Sequence, residues 1–191
     1  MKRVAVVTSG RSRGSNFEAI ARFLAGKPAQ IAFVVVTSRK APIIERCEAL
    51  GVPVVHLPVR DITDFENGLL AAVREHNVSL IALAGFLKQL SAAFLCACGC
   101  PVVNIHPALL PCYGGPGMYG MRVHEAVFNA GEKVSGATVH HVNEHYDAGS
   151  IIAQRQVDIS SCRSPQEVAT AVLEAEHELY PETIWELVKE L

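Results

Sequence analysis

Five short apolar runs, separated by segments with helical spacing, make up the first half of the chain. Each run has the length of a buried strand. The segments between them place apolar residues three and four positions apart, as in Phe17, Ile20, Ala21 and Leu24. This alternation predicts βαβ units and a mainly parallel sheet with helices on both faces. The predicted strands are Arg3–Ser9, Ile31–Thr37, Val52–His56, Leu80–Ala84 and Val102–His106. The predicted helices are one that ends at Gly26, then Pro42–Leu50, Thr63–His76 and Ser91–Cys98.

The pattern changes after residue 106. Residues 107–121 are rich in proline and glycine and predict a loop, and residues 122–130 predict a short helix. Val134–Asn143 and Ser150–Val157 follow each other without a helix between them, which predicts an antiparallel pair. Ser164–Leu191 closes the chain as a long helix. The sequence therefore predicts an α/β, Rossmann-like fold whose mainly parallel sheet has an antiparallel C-terminal edge.

Length and charge narrow the class of protein. A chain of 191 residues suits a single domain, 1–191. A net charge of −2 argues against a nucleic-acid partner, because such domains present a basic face. The apolar runs are too short to span a membrane or to form the core of a signal peptide. We therefore expect a cytoplasmic protein with neither a membrane nor a nucleic acid as its partner.

The cysteines do not indicate a metal site. Cys96, Cys98 and Cys100 have the spacing C-x-C-x-C, whereas zinc sites use C-x₂-C pairs. Half of the residues are apolar, so the core does not depend on disulfides. We expect reduced thiols and no metal ion.

The fifth predicted strand ends in a polar pair. Asn104 and His106 are two positions apart, so they face the same side of the strand, and Pro107 marks its end. The carboxyl ends of strands in open α/β sheets are where ligands bind. A turn-capping asparagine and a hydrogen-bonded, half-buried histidine are the alternative interpretation.

The first predicted strand leads into a glycine-rich turn. Gly10 and Gly14 flank it, and Ser15 and Asn16 begin the helix that follows. Free amide groups at a helix N-terminus favour phosphate, and the G-x-G-x-x-G pattern of dinucleotide sites is absent. The turn indicates the phosphate of a mononucleotide, or else simple capping by Ser15 or Asn16.

Two further segments could complete a site. Asp147 precedes Ala148 and Gly149, which leave room for another group to approach its carboxylate. A carboxylate near an imidazole raises the imidazole pKa, as a general acid near neutral pH requires. A turn-forming aspartate is the alternative. Leu83–Leu90 combines apolar side chains with open backbone after a strand, and could line a pocket for a flat heteroaromatic ring or simply begin a helix.

Together these segments resemble the phosphoribosylglycinamide formyltransferases, the folate-dependent formyltransferases of purine biosynthesis. The run Asn-Ile-His-Pro-x-Leu-Leu-Pro with a later Asp-x-Gly is typical of the wider formyltransferase superfamily. The chain length and the late Glu-His-x-x-Tyr-Pro are typical of its purine branch. The matching segments are Ser9-Gly10, Gly14–Asn16, Leu83–Phe86, Asn104–Pro111, Gly136–His140, Asp147–Gly149 and Glu176–Pro181.

The resemblance implies a reaction. The amine of glycinamide ribonucleotide attacks the formyl carbon of the co-substrate 10-formyltetrahydrofolate, and tetrahydrofolate is released without help from a metal. By the same resemblance, His106 as an imidazolium stabilises the oxyanion and donates a proton. Asn104 hydrogen-bonds the formyl oxygen. Asp147 keeps His106 charged and orients a water molecule.

The resemblance also implies binding residues. The ribonucleotide contacts are Gly14, Ser15 and Asn16 at the phosphate and Glu176 at the ribose or glycinamide portion. The folate contacts are Leu87, Lys88, Gln89, Leu90 and Asn104, with residues 141–146 closing the other side of the pocket. His140 is a supporting residue near the site.

The sequence departs from the family pattern in four places. Arg11-Ser12-Arg13 carries two extra residues, which add positive charge near the expected phosphate. The folate-contacting arginine that many members carry has no clear match, because Ile62 lies nearest to its position, and that role is not assigned to any residue. Lys88 occupies a position where arginine is common, which weakens a bidentate contact to a carboxylate. Residues 112–121 form a longer loop than usual, and the sequence does not place it.

Other activities fit less well. A 10-formyltetrahydrofolate hydrolase would use similar catalytic residues, but such relatives carry an N-terminal regulatory domain, for which we expect no room before Arg3. A methionyl-tRNA formyltransferase would need a further C-terminal domain and a basic face. A catalytically silent folate-binding module would not need Asn104, His106 and Asp147 together. We expect a monomer or a homodimer.

Overall fold

The structure is a computed structural model and describes residues 1–10 and 13–191. Strands and helices alternate along most of the chain. The strands are β1 (Lys2–Thr8), β2 (Ala29–Val36), β3 (Val54–His56), β4 (Leu80–Leu83), β5 (Val102–His106), β6 (Val134–His141) and β7 (Ile151–Asp158). The helices are α1 (Ser15–Leu24), α2 (Ile43–Ala49), α3 (Ile62–Glu75), α4 (Ala92–Ala97), α5 (Met121–Asn129) and α6 (Pro165–Glu190).

The strands form one seven-stranded sheet in the order β3-β2-β1-β4-β5-β6-β7. The pairs from β3 to β5 are parallel, and β6 and β7 add to β5 in antiparallel fashion. The strand order reverses between β1 and β4, and ligands bind beside such a switch point in open α/β sheets. The predicted Rossmann-like α/β fold with an antiparallel C-terminal edge is confirmed.

The central strands are apolar on both sides because helices cover both faces of the sheet. Val4 and Val6 of β1 pack in one buried cluster with residues of α1 and α6. Ala5 and Val7 point the other way and pack in a second cluster with residues of α3 and α4. Because successive side chains of a strand point to opposite faces of the sheet, β1 contributes residues to two separate cores.

The long helix α6 is bonded to two central strands through one buried side chain. Tyr180 is fully buried, and its hydroxyl group donates to the carbonyl oxygens of Leu83 at 2.8 Å and Val103 at 3.2 Å. Val172 of α6 also packs with Val127 of α5 in a third cluster. None of the helices in the described part of the chain is long and apolar enough to cross a membrane.

Some predicted element ends shift by one or two residues for local reasons. The amide of Val52 donates to the Cys47 carbonyl oxygen at 2.9 Å and closes α2, so β3 begins at Val54 and not at Val52. At the other end of the sheet, the Asn143 side chain accepts from the His145 amide at 3.0 Å. This turn ends β6 at His141 and not at Asn143.

Candidate active site

A cavity of about 680 Å³ opens at the carboxyl edge of the parallel strands. Its walls come from the start of α1, the loop after β4, the end of β5, the 112–121 loop and α6. This volume falls within the range of about 300–1,000 Å³ that is typical of small-molecule sites. Among its lining residues are Gly14, Ser15, Asn16, His106, Asp147 and Glu176. The structure thus brings residues from both ends of the chain to one edge of the sheet.

His106 is held between a carboxylate and a backbone carbonyl. The side chain is buried, with its Nδ1 atom 3.5 Å from Oδ2 of Asp147. Its Nε2 atom lies 2.8 Å from the carbonyl oxygen of Tyr113. Because a carbonyl oxygen only accepts, Nε2 carries a proton and donates it to Tyr113. The 112–121 loop therefore contacts the imidazole directly.

Asp147 sits in a turn with a φ of 54°. Its Oδ2 atom also accepts from the Gly115 amide at 3.0 Å. The sequence predicts open space for another group beside Gly149. In the structure, the carbonyl oxygen of His141 occupies that space. A Cβ atom at Gly149 would lie 1.6 Å from this oxygen. Only a glycine lets the backbone pass this close to the His141 carbonyl oxygen. This close packing is part of the turn that places Asp147 in the cavity.

His140 links Asn104 to Asp147. Its Nδ1 atom lies 2.9 Å from the His141 carbonyl oxygen, which can only accept, and therefore carries a proton. Its Nε2 atom lies 3.1 Å from Nδ2 of Asn104 and 3.7 Å from Oδ1 of Asp147. His140 thus connects the Asn104 amide to the Asp147 carboxylate.

Burial reverses the expected direction of the shift in the His106 pKa. We expected Asp147 to raise the His106 pKa, and its charge does act in that direction, as does the hydrogen bond to Tyr113. Burial outweighs both, so the pKa of His106 is lowered. Burial also acts to raise the pKa of Asp147, but His140, the His106 charge and the Gly115 amide together lower it. Burial and the Asp147 charge therefore act on the His106 pKa in opposite directions, and burial is the larger effect.

The residues at the start of α1 meet α6. The alternative of helix capping by Ser15 or Asn16 is not observed, since Gly14 occupies the N-cap position and no side chain in the described residues caps α1. Nδ2 of Asn16 instead donates to Oε2 of Glu176 at 2.7 Å. Burial raises the pKa of Glu176 to about 7, and the Asn16 bond offsets part of this rise. Arg11 and Ser12 of the predicted insertion lie outside the described residues.

A second, smaller cavity adjoins the first. Lys88, Gln89 and Leu90 line it, opposite the segment that follows β6. The Gln89 side chain donates to the Glu144 carbonyl oxygen across this cavity. Leu90 is only 1% exposed and belongs mainly to the core, while the exposed Leu87 lines the larger cavity instead. Both cavities are lined by Phe86, Asn104, Tyr146 and Asp147.

Sequence reasoning missed the residues that position the site. The buried hydroxyl group of Thr138 donates to the Ala108 carbonyl oxygen at 2.6 Å and accepts from the Leu110 amide at 3.1 Å. Nε2 of Gln154 donates to the same hydroxyl group at 2.9 Å. These bonds fix the segment after His106 to the antiparallel edge. A threonine within the run Gly136–His140 was the only signal in the sequence.

His124 also went unnoticed in the sequence. It is buried, it lines the larger cavity, and burial lowers its pKa to about 4, with the His106 charge adding to the effect. Its position on α5 follows the unplaced loop, so no spacing pattern connected it to the site. In the described part of the chain, no group of three or more His, Cys, Asp or Glu side chains is arranged so that it could hold a metal ion. The absence of a metal from the chemistry stays a prediction.

The chain is similar to known proteins along nearly its whole length. Residues 2–184 match the profile of the formyl transferase family. A phosphoribosylglycinamide formyltransferase from Bacillus subtilis is 37% identical over 193 residues, which cover 98% of this chain and 95% of the relative. A chloroplastic phosphoribosylglycinamide formyltransferase from Arabidopsis thaliana is 36% identical over 195 residues, which cover 99% of this chain and 66% of the relative.

A solved structure is similar throughout. Glycinamide ribonucleotide transformylase 1 from Geobacillus kaustophilus superposes with a TM-score of 0.87 at 33% identity, over 98% of this chain and 99% of that one. The chain spans 66% and 62% of the lengths of the two plant relatives that it matches. The family profile itself covers nearly the whole of the chain. The chain belongs to the formyl transferase family.

Proposed function

We propose that the chain is a phosphoribosylglycinamide formyltransferase, which transfers the formyl group of 10-formyltetrahydrofolate to the amine of glycinamide ribonucleotide in purine biosynthesis. Family membership and the names of the similar proteins support this proposal. The observation that carries it is the meeting of two cavities at Asn104 and Asp147. A transfer between two substrates requires two binding spaces that share one reactive point.

The larger cavity suits the ribonucleotide. The Oδ1 atom of Asn16 and the Nδ1 atom of His124 are buried and have no hydrogen-bond partner among the described residues. A buried polar atom left unpaired costs roughly 1–3 kcal/mol, which a polar ligand can recover. Both residues line the larger cavity. We assign the phosphate to the start of α1 at Gly14, Ser15 and Asn16, and the ribose or glycinamide portion to Glu176.

We assign the folate to the smaller cavity, whose volume is about 60 Å³, together with the space that it shares with the larger cavity. Lys88, Gln89 and Leu90 form one wall of this cavity. Residues 142–147 form the other wall, apart from Glu144, and Gln89 ties the two together. Leu87 is exposed and lines the larger cavity, so its contact with folate would be made on that side of the junction. The folate would then present its formyl group at the Asn104 amide.

The reaction follows from the atoms at the junction. The amine attacks the formyl carbon, a C–N bond forms, and the formyl oxygen takes a negative charge. The second N–H of the Asn104 amide and the Nε2–H of His106 can donate to this oxyanion. His106 would exchange its bond to Tyr113 for one to the oxyanion. The bond from the formyl carbon to the folate nitrogen then breaks, and the proton lost by the attacking amine passes to that nitrogen.

The developing charge explains the need for Asp147. In the resting site, burial lowers the pKa of His106 against the opposing effect of Asp147. An oxyanion that forms beside the ring favours the imidazolium, and the Asp147 carboxylate 3.5 Å away stabilises it on the other side. General acid help of this kind is worth roughly 10²–10⁴ in rate. An oxyanion donor such as Asn104 adds roughly 10²–10³.

A two-substrate assay tests the proposal. We would follow folate absorbance with 10-formyltetrahydrofolate, with and without glycinamide ribonucleotide, in the wild type and in His106→Ala. We expect turnover that requires the ribonucleotide and falls by at least about 10²-fold in the variant. His56→Ala is the matched control, because His56 is outside the residues that line either cavity. Equal deformylation without the ribonucleotide would overturn the proposal in favour of the hydrolase.

Two related expectations remain proposals. We infer a cytoplasmic location for this chain, although the plant relatives are named as chloroplastic. We also keep the expectation of a monomer or a homodimer. Sedimentation of the purified protein distinguishes these two states, and a larger assembly would contradict both.

A further inference from the structure

His124 lines the larger cavity but has no part in the formyl transfer as proposed above. Its side chain is only 7% exposed and lies on the buried face of α5, together with Val123 and Val127. An apolar side chain could fill this position without burying a polar group, which is unfavourable unless that group is hydrogen-bonded. The imidazole therefore needs an explanation beyond packing.

The two valines that flank His124 fix its helix against the catalytic segment. They pack in one buried cluster with Ala108, which lies two residues after His106, and Tyr113 packs against the same cluster. The Tyr113 carbonyl oxygen is also the acceptor of the His106 bond at 2.8 Å. The helix α5 therefore lies against the segment that holds the His106 imidazole.

The same cluster joins α5 to α6, because two valines of α6 belong to it. Ala169, Leu173 and Glu176 of α6 follow each other at intervals of four and three residues, so they share one face of the helix, and all three line the larger cavity. His124 thus reaches the cavity from a helix that packs against both the His106 segment and this wall. In the proposed complex, the amine lies near His106, and the glycinamide joins that amine to the ribose.

The two ring nitrogens of His124 have different surroundings. Nδ1 is covered and has no hydrogen-bond partner among the described residues. Nε2 does not share this condition, and no group in the described part of the chain bonds it, so Nε2 is the nitrogen that is accessible from the cavity. A buried N–H without an acceptor is rarer than a buried acceptor without a donor, so the neutral ring carries its proton on Nε2. The ring therefore offers one N–H donor to the cavity.

This donor is uncharged at neutral pH. Burial lowers the pKa of His124 to about 4, and the charge of His106 adds to the effect. His124 therefore does not compete with His106 for the proton of the reaction. A neutral N–H suits a neutral acceptor such as a carbonyl oxygen, whereas an anionic group is held more strongly by cationic side chains or a helix N-terminus.

We infer that the Nε2–H group of His124 donates a hydrogen bond to the carbonyl oxygen of the glycinamide portion of the ribonucleotide. This inference rests on the proposed function. The carbonyl carbon is separated from the attacking amine by a single CH₂ group, so a bond to its oxygen directs the amine toward the junction of the two cavities. His124 is thus a residue that positions the substrate and takes no proton from it. The same bond offsets part of the unfavourable burial of the imidazole.

Calorimetric titration of the full chain without folate tests the inference. The three probes are glycinamide ribonucleotide, its analogue with hydrogen in place of the amine, and ribose 5-phosphate, which lacks the glycinamide portion. We expect His124→Leu to bind the first two roughly tenfold more weakly than the wild type, because one hydrogen bond is lost, and to bind ribose 5-phosphate equally well. A loss confined to the ligand that carries the amine would assign the contact to the amine and overturn the inference.

A second variant restores the donor. The amide nitrogen of a glutamine lies about as far from the backbone as Nε2 of a histidine, so His124→Gln should bind the ribonucleotide within about threefold of the wild type. Glu125→Gln is the matched control, because Glu125 is exposed on the same helix and lines neither cavity. Binding by His124→Gln that is as weak as binding by His124→Leu would contradict the role of a donor at this position.

Stability separates this contact from a purely structural role. Because Nδ1 of His124 is buried without a partner, we expect His124→Leu to unfold at a urea concentration no lower than that of the wild type. A lower midpoint, with an equal loss of affinity for all three ligands, would show that His124 acts through the fold and would overturn the inference.

The titration also distinguishes this inference from the proposed function. A wild type that does not bind glycinamide ribonucleotide would overturn the proposed function, and this inference with it. Binding of the ribonucleotide that is the same in the wild type and in His124→Leu would overturn this inference alone.

Discussion

Glu176 places a carboxyl group in the interior of the protein, and its ionisation links stability to the proposed ribonucleotide site. The side chain is 8% exposed and accepts a hydrogen bond from Asn16 at 2.7 Å. Burial raises its pKa from 4.5 to about 7. The substitution Glu176→Gln keeps the shape of the side chain and an oxygen for Asn16, and it removes the charge. We expect this variant to be more stable than the wild type at alkaline pH and less active.

The sign and size of the effect follow from the two pKa values. Because the folded pKa of Glu176 is raised, its stabilising contribution is fully present below the unfolded value and is lost as the pH rises through about 7. Between pH 5 and pH 8 the wild type should lose roughly 2–3 kcal/mol through this one group. Glu176→Gln has no such group to ionise. The difference in unfolding free energy between variant and wild type should therefore grow by roughly 2–3 kcal/mol over the same interval.

Urea denaturation at pH 5 and pH 8 measures this difference directly. Other titrating groups are common to both proteins and cancel in the comparison. Glu174→Gln is the matched control, since Glu174 is exposed on the same helix, and we expect no comparable pH-dependent gain from it. If the stability difference between Glu176→Gln and the wild type is the same at both pH values, Glu176 does not ionise in this window and the reasoning from its burial is refuted.

Three further substitutions test how the site is positioned. Thr138→Val removes the hydroxyl group that bonds Ala108 and Leu110, so urea denaturation should show a loss of roughly 1–3 kcal/mol, and an unchanged midpoint would contradict this role. Gly149→Ala places a Cβ atom against the His141 carbonyl oxygen, so calorimetry should show a loss of roughly 2–4 kcal/mol, and wild-type stability would show that the turn is not constrained. Asn16→Ala removes a lining group of the larger cavity, so steady-state kinetics should show roughly a tenfold or larger rise in KM for the ribonucleotide with the folate KM unchanged. A rise in the folate KM alone would reverse the assignment of the two cavities.

The fold could be predicted from the spacing of apolar residues along the sequence. Apolar runs of strand length alternate with helical spacing up to His106, and this alternation predicts a parallel sheet covered on both faces. The loss of a helix between β6 and β7 predicts the antiparallel edge. The polar pair Asn104 and His106 could be placed at the carboxyl edge because i and i+2 share a face of a strand. The structure places His106 beside Asp147 and connects Asn104 to the same carboxylate through His140.

The contacts that could not be predicted are made by segments that have no periodic sequence pattern. The 112–121 loop is rich in glycine, and no spacing rule indicates that the Tyr113 carbonyl and the Gly115 amide contact His106 and Asp147. The His106 pKa was expected to rise, because a sequence shows the partner carboxylate but not the degree of burial that outweighs it. The role of Thr138 was hidden for a similar reason, since its partners lie 28 and 30 residues away along the chain.

The most direct test of the central claim follows the formyl group itself. A single turnover would be run with excess enzyme, 10-formyltetrahydrofolate labelled with ¹³C at the formyl carbon, and glycinamide ribonucleotide. Because the two cavities meet at Asn104 and Asp147, we expect the label to appear as the formamide of the ribonucleotide in one-to-one yield with tetrahydrofolate. Label recovered as free formate, with the ribonucleotide unmodified, would contradict direct transfer between the two cavities.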